Sequence, residues 1–346
     1  MASSLNNSAW LEWMAHLMGG VSGRGYAATL PPNRFYCLLD ELPMHLVPQT
    51  ALEILRCRNG EDAPLFLSPE CTFTTGGKSP AALSLDPFLS GFALQGTVAW
   101  ARDAASGTIW PFLLGTKFET VARSLQASEA VSTLPEDIRD RFVQAGILTS
   151  ERREARRLRE RQNRIEQSAA LFRKKGYAPL AKLIHPFQIA ALRRYYRYLI
   201  RTGAITLGDG QSPRRYFAYN EPVARFFHQQ IAATLSAVAG EPLKPSYVYL
   251  ASYLSGAELK KHTDRAQCEF SVTLCLDFSP EPARETPWPI QLATPAGQVT
   301  VYQALGDGLA YRGTQLPHYR DVLPEGQTST SIFFHYVRAD FSGSLD

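Results

Sequence analysis

The sequence contains no run of apolar residues close to the ~20 that a helix needs to cross a bilayer. Its N-terminus also lacks the basic block and the apolar block of a secretion signal. Cysteine is scarce: the five thiols are odd in number and include no C-x-x-C pair, which argues against a disulfide framework and against a structural zinc site. These absences predict a soluble, cytoplasmic chain that does not associate with a membrane.

Neither sign of charge is in large excess. The 36 Lys and Arg residues exceed the 32 Asp and Glu residues by only +4, which does not indicate a nucleic-acid-binding protein. Most of the excess lies in residues 150–175, where arginines and glutamates recur at helical separations. We predict a charged linker helix there, with Ser150 as its N-cap. The alternative is a nucleic-acid-binding arm, although the interspersed glutamates weaken its positive field.

The residues with the most distinctive chemistry lie in the last hundred positions. His262 and Asp264 are two residues apart, so an extended backbone points both side chains to one face. His318 follows 56 residues later (318 − 262), a separation that accommodates several short strands and their turns. Two imidazoles and one carboxylate on one side of a metal form the facial triad of non-haem Fe(II) oxygenases. An isolated H-x-D motif also arises by chance, so the neighbouring residues matter.

Those neighbours resemble the Fe(II)/2-oxoglutarate-dependent dioxygenases, and within them the prolyl hydroxylases. Tyr253 stands nine positions before the first histidine, Gly256 lies in the turn between them, and Gly306-Asp-Gly-Leu precedes the distal histidine. The resemblance covers about residues 246–346.

This resemblance implies a double-stranded β-helix, a relative of the jelly roll. It also implies that His262, Asp264 and His318 hold Fe(II), and that 2-oxoglutarate and O2 fill the remaining metal positions. The implied reaction is hydroxylation of a substrate, coupled to decarboxylation of 2-oxoglutarate to succinate.

One feature of the family is missing. Its members carry an Arg or Lys about ten residues after the distal histidine, where it pairs with the distal carboxylate of 2-oxoglutarate. Here those positions read Gln-Thr-Ser-Thr-Ser over 327–331. Because a buried dianion needs a cationic partner, we predict that Arg320, two residues after His318, takes this role. Arg312, Arg338 and Lys261 are the alternatives.

Two further residues are predicted to contact the co-substrate. Tyr253 is expected to donate a hydrogen bond to a 2-oxoglutarate carboxylate. Ser331 lies on the last predicted strand and shares one face with Phe333 and His335, because side chains on a strand alternate.

The periodicity of the chain predicts an α+β fold. Residues 270–278 alternate strictly, so Ser271, Thr273, Cys275 and Asp277 are predicted to face the polar lumen of a barrel. We predict a C-terminal double-stranded β-helix buttressed by helices, with a mixed, largely helical N-terminal region. The predicted boundaries are 1–149 for a mixed α/β domain, 150–175 for the linker helix and 176–346 for the oxygenase domain.

A hairpin at about 97–110 and two helices up to residue 148 weakly resemble the small winged-helix modules that recognise peptides. The alternative is a structural cap on the oxygenase, because patterns this short match many folds.

The sequence therefore predicts an Fe(II)- and 2-oxoglutarate-dependent oxygenase that hydroxylates a peptide or an amino-acid-derived small molecule. The alternatives are a nucleic-acid demethylase of the same chemistry, a metal-binding module without catalysis, and a purely structural or interaction role. A nucleic acid is not the expected partner. The metal-binding module stays an alternative because the arginine expected on the last strand is missing.

Overall fold

The computed structural model describes residues 30–39, 48–62, 64–80, 86–103, 106–126, 131–184 and 186–345. The helices in these ranges are α1 (Pro48–Arg58), α2 (Thr116–Gln126), α3 (Glu136–Gln144), α4 (Glu151–Lys175), α5 (Pro186–Arg201) and α6 (Pro222–Ala239). The first strands are β1 (Cys37–Leu38), β2 (Phe66–Leu67), β3 (Cys71–Thr75), β4 (Thr97–Arg102), β5 (Ile109–Leu114) and β6 (Leu148–Thr149). The later strands are β7 (Tyr177–Leu180), β8 (Thr206–Leu207), β9 (Arg215–Tyr219), β10 (Leu243–Tyr253), β11 (Leu259–His262), β12 (Phe270–Ser279), β13 (Ile290–Thr294), β14 (Gly297–Val301), β15 (Gly308–Tyr311), β16 (His318–Arg320) and β17 (Thr328–Arg338).

The C-terminal half contains two antiparallel sheets. The larger has seven strands in the order β7-β15-β12-β17-β10-β9-β8, and the smaller has four in the order β11-β16-β13-β14. Their facing sides pack through two apolar clusters, one around Tyr311 and Ile290 and the other around Phe333 and Trp288. The prediction of a mixed helix and sheet fold with many antiparallel strands is confirmed.

Helices cover the other face of the seven-stranded sheet. Val272 on β12 and Phe334 on β17 belong to the same buried cluster as Leu192 on α5 and Phe226 on α6. Alternation along β12 and β17 sends Val272 and Phe334 to the helices, whereas their neighbours Ser271 and His335 face the space between the sheets.

The strict alternation predicted for β12 is wrong beyond Cys275. Cys275 pairs with Ser331, but Asp277 pairs with Thr330, so Leu276 is the extra residue of a β-bulge. The bulge turns Asp277 to the helix side, where it bonds Arg193 and Arg197 on α5. An alternating sequence cannot show such an insertion. The alternation of residue types continues past the extra residue, but the side chains after it point to the opposite face of the sheet.

Helix α4 confirms the predicted helix, and the Ser150 hydroxyl caps it by accepting a hydrogen bond from the Arg153 amide at 3.2 Å. It is not solvated on all sides, because Arg153 is 1 % exposed and Arg156 pairs with the buried Asp62 at 2.9 Å. The helix lies against α6 and β7. Some of its arginines are therefore buried or paired inside the protein and hold the helix to neighbouring segments.

The described N-terminal region is a four-stranded sheet, β1-β5-β4-β3, with short helices, and its β4–β5 hairpin confirms the predicted one. The sheet packs on α6 through Trp110, whose ring lies 4.5 Å from that of Phe227, and Phe92, which lies outside the sheet, contacts Phe226 at 4.8 Å. Residues of the two predicted domains thus share one apolar core, and the domain boundaries stay a prediction. In the described ranges, no helix is long and apolar enough to cross a membrane.

Candidate active site

His262 and His318 face each other across the pairing of β11 with β16. The two residues are direct partners in the antiparallel register, and their ring centroids are 4.4 Å apart. Asp264 lies two residues beyond the end of β11, where its backbone amide donates to the Gly313 carbonyl at 2.9 Å. The small sheet and its adjoining loop thus bring together the three side chains that the sequence singled out.

The ligand atoms of these three side chains point at one another. Oδ1 of Asp264 lies 3.7 Å from Nε2 of His262 and 3.5 Å from Nε2 of His318, and a single ion could be held among the three. Each imidazole has its other nitrogen occupied: Nδ1–H of His262 donates to the Lys260 carbonyl at 2.7 Å, and that of His318 to Leu316 at 3.0 Å. These bonds assign the proton to Nδ1, so each Nε2 carries the lone pair that a metal would use; the Tyr311 hydroxyl lies 3.4 Å from Nε2 of His318.

Burial favours the same protonation state in His318. This residue is 2 % exposed, and burial lowers the pKa of its imidazole although the Asp264 carboxylate opposes the shift. The ring is therefore neutral near pH 7 and can act as a ligand. The side chain of His262 is 32 % exposed and forms the open edge of the group.

The second carboxylate oxygen of Asp264 is held by the large sheet. The Ser271 hydroxyl on β12 donates to Oδ2 at 2.8 Å, and it accepts from Nδ1–H of His335 on β17 at 2.9 Å. Burial lowers the pKa of His335 to about 4, so its ring is neutral. The relay His335 to Ser271 to Asp264 fixes the carboxylate with Oδ1 turned to the two imidazoles.

Gly313 lies against the Asp264 carboxylate and leaves space for it. A Cβ at this position would overlap Oδ2 of Asp264 and the Cys268 carbonyl, and it would lie 2.8 Å from the Ser271 hydroxyl. Only a residue without a side chain fits so close to the group.

Asp264, Cys268 and His335 form a second set whose atoms could surround one ion. Burial raises the pKa of the Cys268 thiol to about 12, and Tyr247 hydrogen-bonds to its sulfur at 3.0 Å. Because a metal binds the thiolate, this protonated thiol is a poor ligand. The set of His262, Asp264 and His318 is the better candidate.

A cavity of about 670 Å³ opens beside the three side chains. Its wall is rich in aromatic rings from β9, β10, β15 and β17: Phe217, Tyr219, Tyr247, Tyr249, Tyr253, Tyr311 and Phe333. The charged residues in the described lining are Asp209, Arg215, Asp264 and Arg265. A volume of this size suits a small molecule or one side chain of a peptide.

Arg320 lies on β16 and shares a face with His318, two residues earlier. It is 4 % exposed; its guanidinium donates to the Trp288 carbonyl and, at 3.3 Å, to Oε1 of Gln303. Nε has no hydrogen-bond partner, and no carboxylate in the described ranges forms an ion pair with it. Burial lowers the pKa of Arg320, and Tyr253 and Tyr311 are among its electrostatic neighbours.

Two hydroxyl groups near Arg320 also lack partners. Oγ of Ser331 and Oγ1 of Thr273 are buried without a hydrogen bond. Ser331 pairs with Cys275, which interacts electrostatically with Arg320, and Gln303 bonds both Arg320 and the Thr273 carbonyl. Buried polar atoms left unpaired are costly, so this cluster is prepared for a polar ligand.

The remaining predicted residues divide into two groups. Tyr253 lines the cavity, whereas Arg320 and Ser331 are not among its described lining residues. The alternatives to Arg320 are used elsewhere, because Arg312 and Arg338 interact with Glu241 and Lys261 is exposed. They do not meet the metal-ligand candidates.

The sequence leaves Arg215 either at the mouth of the active site or, by default, at the surface, and it does not single out Arg265. Arg215 on β9 is 3 % exposed, pairs with Asp209 and donates to the Tyr253 hydroxyl at 3.3 Å. Arg265 borders the cavity directly after Asp264, and its guanidinium donates to the Tyr247 hydroxyl at 2.9 Å. The position next to a ligand candidate was the available signal for Arg265, whereas the pairing of Arg215 depends on a loop whose course the sequence does not reveal.

No family model matches the sequence, and no curated protein matches it. Solved structures are similar over about half of the chain. The α-ketoglutarate-dependent epimerase SnoN of nogalamycin biosynthesis has a TM-score of 0.43 and 16% identity, covering 51% of this chain and 84% of its own. A prolyl-4-hydroxylase from Pseudomonas putida has a TM-score of 0.42 and 15% identity, covering 50% and 98%.

HygX from Streptomyces hygroscopicus, solved with nickel, 2-oxoglutarate and hygromycin B, has a TM-score of 0.40 and 13% identity, covering 51% and 88%. These structures come from the class of enzyme that the H-x-D motif resembles. Because their TM-scores are below 0.5, we base the functional assignment on the geometry of the site.

Proposed function

We propose that this chain is an Fe(II)- and 2-oxoglutarate-dependent oxygenase, built on a double-stranded β-helix, that hydroxylates a small molecule or a peptide side chain. The observation that carries the proposal is the convergence of two imidazoles and one carboxylate beside an open cavity. An N2O donor set on one side of an ion is typical of non-haem iron enzymes that leave positions for a co-substrate and O2. The two facing antiparallel sheets, with the histidines on the smaller one, support the β-helix.

The residues of the chain fit the metal. His262 and His318 would bind through Nε2, while backbone carbonyls hold their Nδ1 protons and fix both ring orientations. Asp264 would bind through Oδ1, while Ser271 restrains Oδ2. Fe(II), together with 2-oxoglutarate and O2, supplies the oxidising power for hydroxylation when bound.

The residues near Arg320 fit the co-substrate. A buried guanidinium without a carboxylate partner is unfavourable unless an anion binds it. Arg320, Ser331 and Thr273 together offer one charge and two hydroxyl groups to the distal carboxylate of 2-oxoglutarate. Tyr253, on the cavity wall beside this cluster, is the further hydrogen-bond donor that we assign to the co-substrate.

The structure gives less support to the nucleic-acid alternative, which rested on the basic helix α4. That helix packs on α6, on the helix-covered face of the large sheet, whereas the cavity opens on the opposite face. A metal-binding module without catalysis gives no role to the unpaired Arg320. Hydroxylation of a peptide or of an amino-acid-derived small molecule therefore remains our proposal.

The first test is anaerobic reconstitution with Fe(II), followed by titration with 2-oxoglutarate. We expect the weak visible charge-transfer band of the chelate to appear and to saturate. His262→Ala, Asp264→Ala and His318→Ala should each abolish iron retention and turnover, with the circular dichroism spectrum preserved. Arg123→Ala, which removes a side chain that is 72% exposed on α2, is the surface control and should behave as the wild type. Iron binding without a band at millimolar 2-oxoglutarate would refute the co-substrate, and full activity in any of the three variants would refute the ligand set.

A further inference from the structure

Arg265 is a cation at the cavity that no carboxylate neutralises in the described part of the chain. Its guanidinium lies 5.2 Å from the ring centroid of Tyr247 and donates to the hydroxyl of that residue at 2.9 Å. No described ion pair includes it, whereas the other arginine of the lining, Arg215, is neutralised by Asp209. Four of its five N–H donors thus remain available to a ligand.

The sum of the charges in the loaded cavity indicates the charge of that ligand. This step rests on the proposed function: Fe(II), the Asp264 carboxylate, the 2-oxoglutarate dianion and Arg320 together sum to zero. Asp209 cancels Arg215. Of the charged residues that line the described cavity, only Arg265 then lacks a counter-charge. A substrate with one negative charge would complete the balance at Arg265, which lies at the solvent-exposed edge of the cavity.

The wall next to Arg265 consists of stacked aromatic rings. Tyr219 and Tyr247 have centroids 4.8 Å apart and planes inclined by 23°, and Tyr219 is 41% exposed. Phe217 and Tyr249 form a second nearly parallel pair, at 6.0 Å and 15°. Flat, apolar ring faces favour a ring-bearing ligand that can stack on them.

We propose that Arg265 and the pair Tyr219–Tyr247 form a substrate subsite for a ring-bearing carboxylic acid. Arg265 binds the carboxylate, and the tyrosine rings support the body of the substrate. The planar guanidinium matches a carboxylate through two parallel hydrogen bonds. A phosphate monoester fits less well, because it carries about −1.5 to −2 charges near pH 7 against one available cation.

The test compares two probes of nearly equal shape, 2-naphthoate and the neutral 2-naphthamide. Their dissociation constants are measured by calorimetry under anaerobic conditions, with and without Fe(II) and 2-oxoglutarate. We expect the wild type to prefer the naphthoate by about two- to fivefold, as for an ion pair at an exposed arginine. Arg265→Gln should lose this preference and Arg265→Lys should retain part of it.

Arg214→Gln is the matched control. Arg214 lies near the cavity but points to the Ser255 carbonyl, at 2.9 Å, and does not belong to the described lining. Its probe preference should equal that of the wild type. Equal affinities for both probes in both samples, or an unchanged preference in Arg265→Gln, would overturn the subsite. The chelate band, measured in the same loaded samples, tests the proposed function separately, since Arg265 contributes no ligand to it.

Discussion

Ser271 holds Oδ2 of Asp264 at 2.8 Å, and the other oxygen of the same carboxylate faces His262 and His318. The carboxylate therefore cannot rotate to chelate an ion through both oxygens without breaking a buried hydrogen bond. A one-oxygen carboxylate leaves more of the metal open to other ligands, which an oxygenase requires.

We predict that Ser271→Ala weakens Fe(II) binding by about ten- to a hundredfold, the range found when an outer-shell partner of a ligand is lost. Because the substitution also leaves Nδ1–H of the buried His335 without its acceptor, the free energy of unfolding of the metal-free protein should fall by about 1–3 kcal/mol. Metal titration, combined with denaturant unfolding, measures both. Ser252→Ala is the matched control, because Ser252 accepts a 2.8 Å hydrogen bond from Thr330 on the opposite face of the same sheet. Equal losses of metal affinity in the two variants would show that Ser271 has no special role.

Replacing Gly313 with alanine should displace the Asp264 carboxylate, because the new Cβ has no room beside Oδ2 and the Cys268 carbonyl. Overpacking of this kind costs typically 1–3 kcal/mol, and metal affinity should fall together with the melting temperature. Gly115→Ala serves as the control, since nothing lies within 4 Å of a Cβ built there. A Gly313→Ala protein with normal metal affinity would contradict the described arrangement.

Arg320→Ala is expected to raise the concentration of 2-oxoglutarate needed for half-saturation about tenfold or more, which corresponds to at least about 1.4 kcal/mol. Iron retention should persist, because the residue is not a metal ligand in our proposal. Titration of the charge-transfer band gives the co-substrate affinity, and Arg320→Lys should preserve part of it. If the requirement is unchanged, the anchor lies elsewhere, and Arg215 becomes the next candidate.

Stability of the metal-free protein should fall as the pH falls below about 6.5, because His228 and His335 are buried as neutral rings. Burial lowers the pKa of His228 from 6.5 to about 3 and that of His335 to about 4. The unfolded chain therefore takes up protons first, and each residue removes up to about 1.4 kcal/mol per pH unit below 6.5 until its folded pKa is reached. Denaturant unfolding between pH 7 and 4.5 measures the slope.

His228→Gln should flatten that slope by about the contribution of one histidine. The glutamine amide can still donate to the His335 carbonyl, which Nε2 of His228 bonds at 2.7 Å. Parallel pH curves for wild type and variant would show that His228 does not determine the acid sensitivity.

Sequence spacing anticipated the features of the site that depend on local geometry. The alternation that aligns Phe333 with His335 on the cavity side follows from the strand repeat, whereas Asp264 lies in the loop beyond the end of β11. The position of Ser271 on the polar side of β12 follows from the same rule. What these residues contact depends on the partner sheet, which the repeat does not describe.

The features that escaped prediction come from irregular backbone and from distant partners. The bulge at Leu276 reverses the sides of Asp277 and Phe278, and no residue type near it announces the extra position. Neutralisation of Arg215 by Asp209 depends on the loop between β8 and β9. Arg320 was predicted as a cation for the co-substrate, but its lack of a carboxylate partner is visible only in three dimensions.

The division of the site between the two sheets has a thermodynamic consequence. The three ligand candidates belong to the small sheet and its adjoining loop, but the carboxylate is tied through Ser271 to the large sheet. An ion bound at this junction would link the two sheets, which otherwise contact each other through two small apolar clusters. Separating the two sheets would then release the ion. By mass action, metal binding would therefore stabilise the packing of the two sheets against each other.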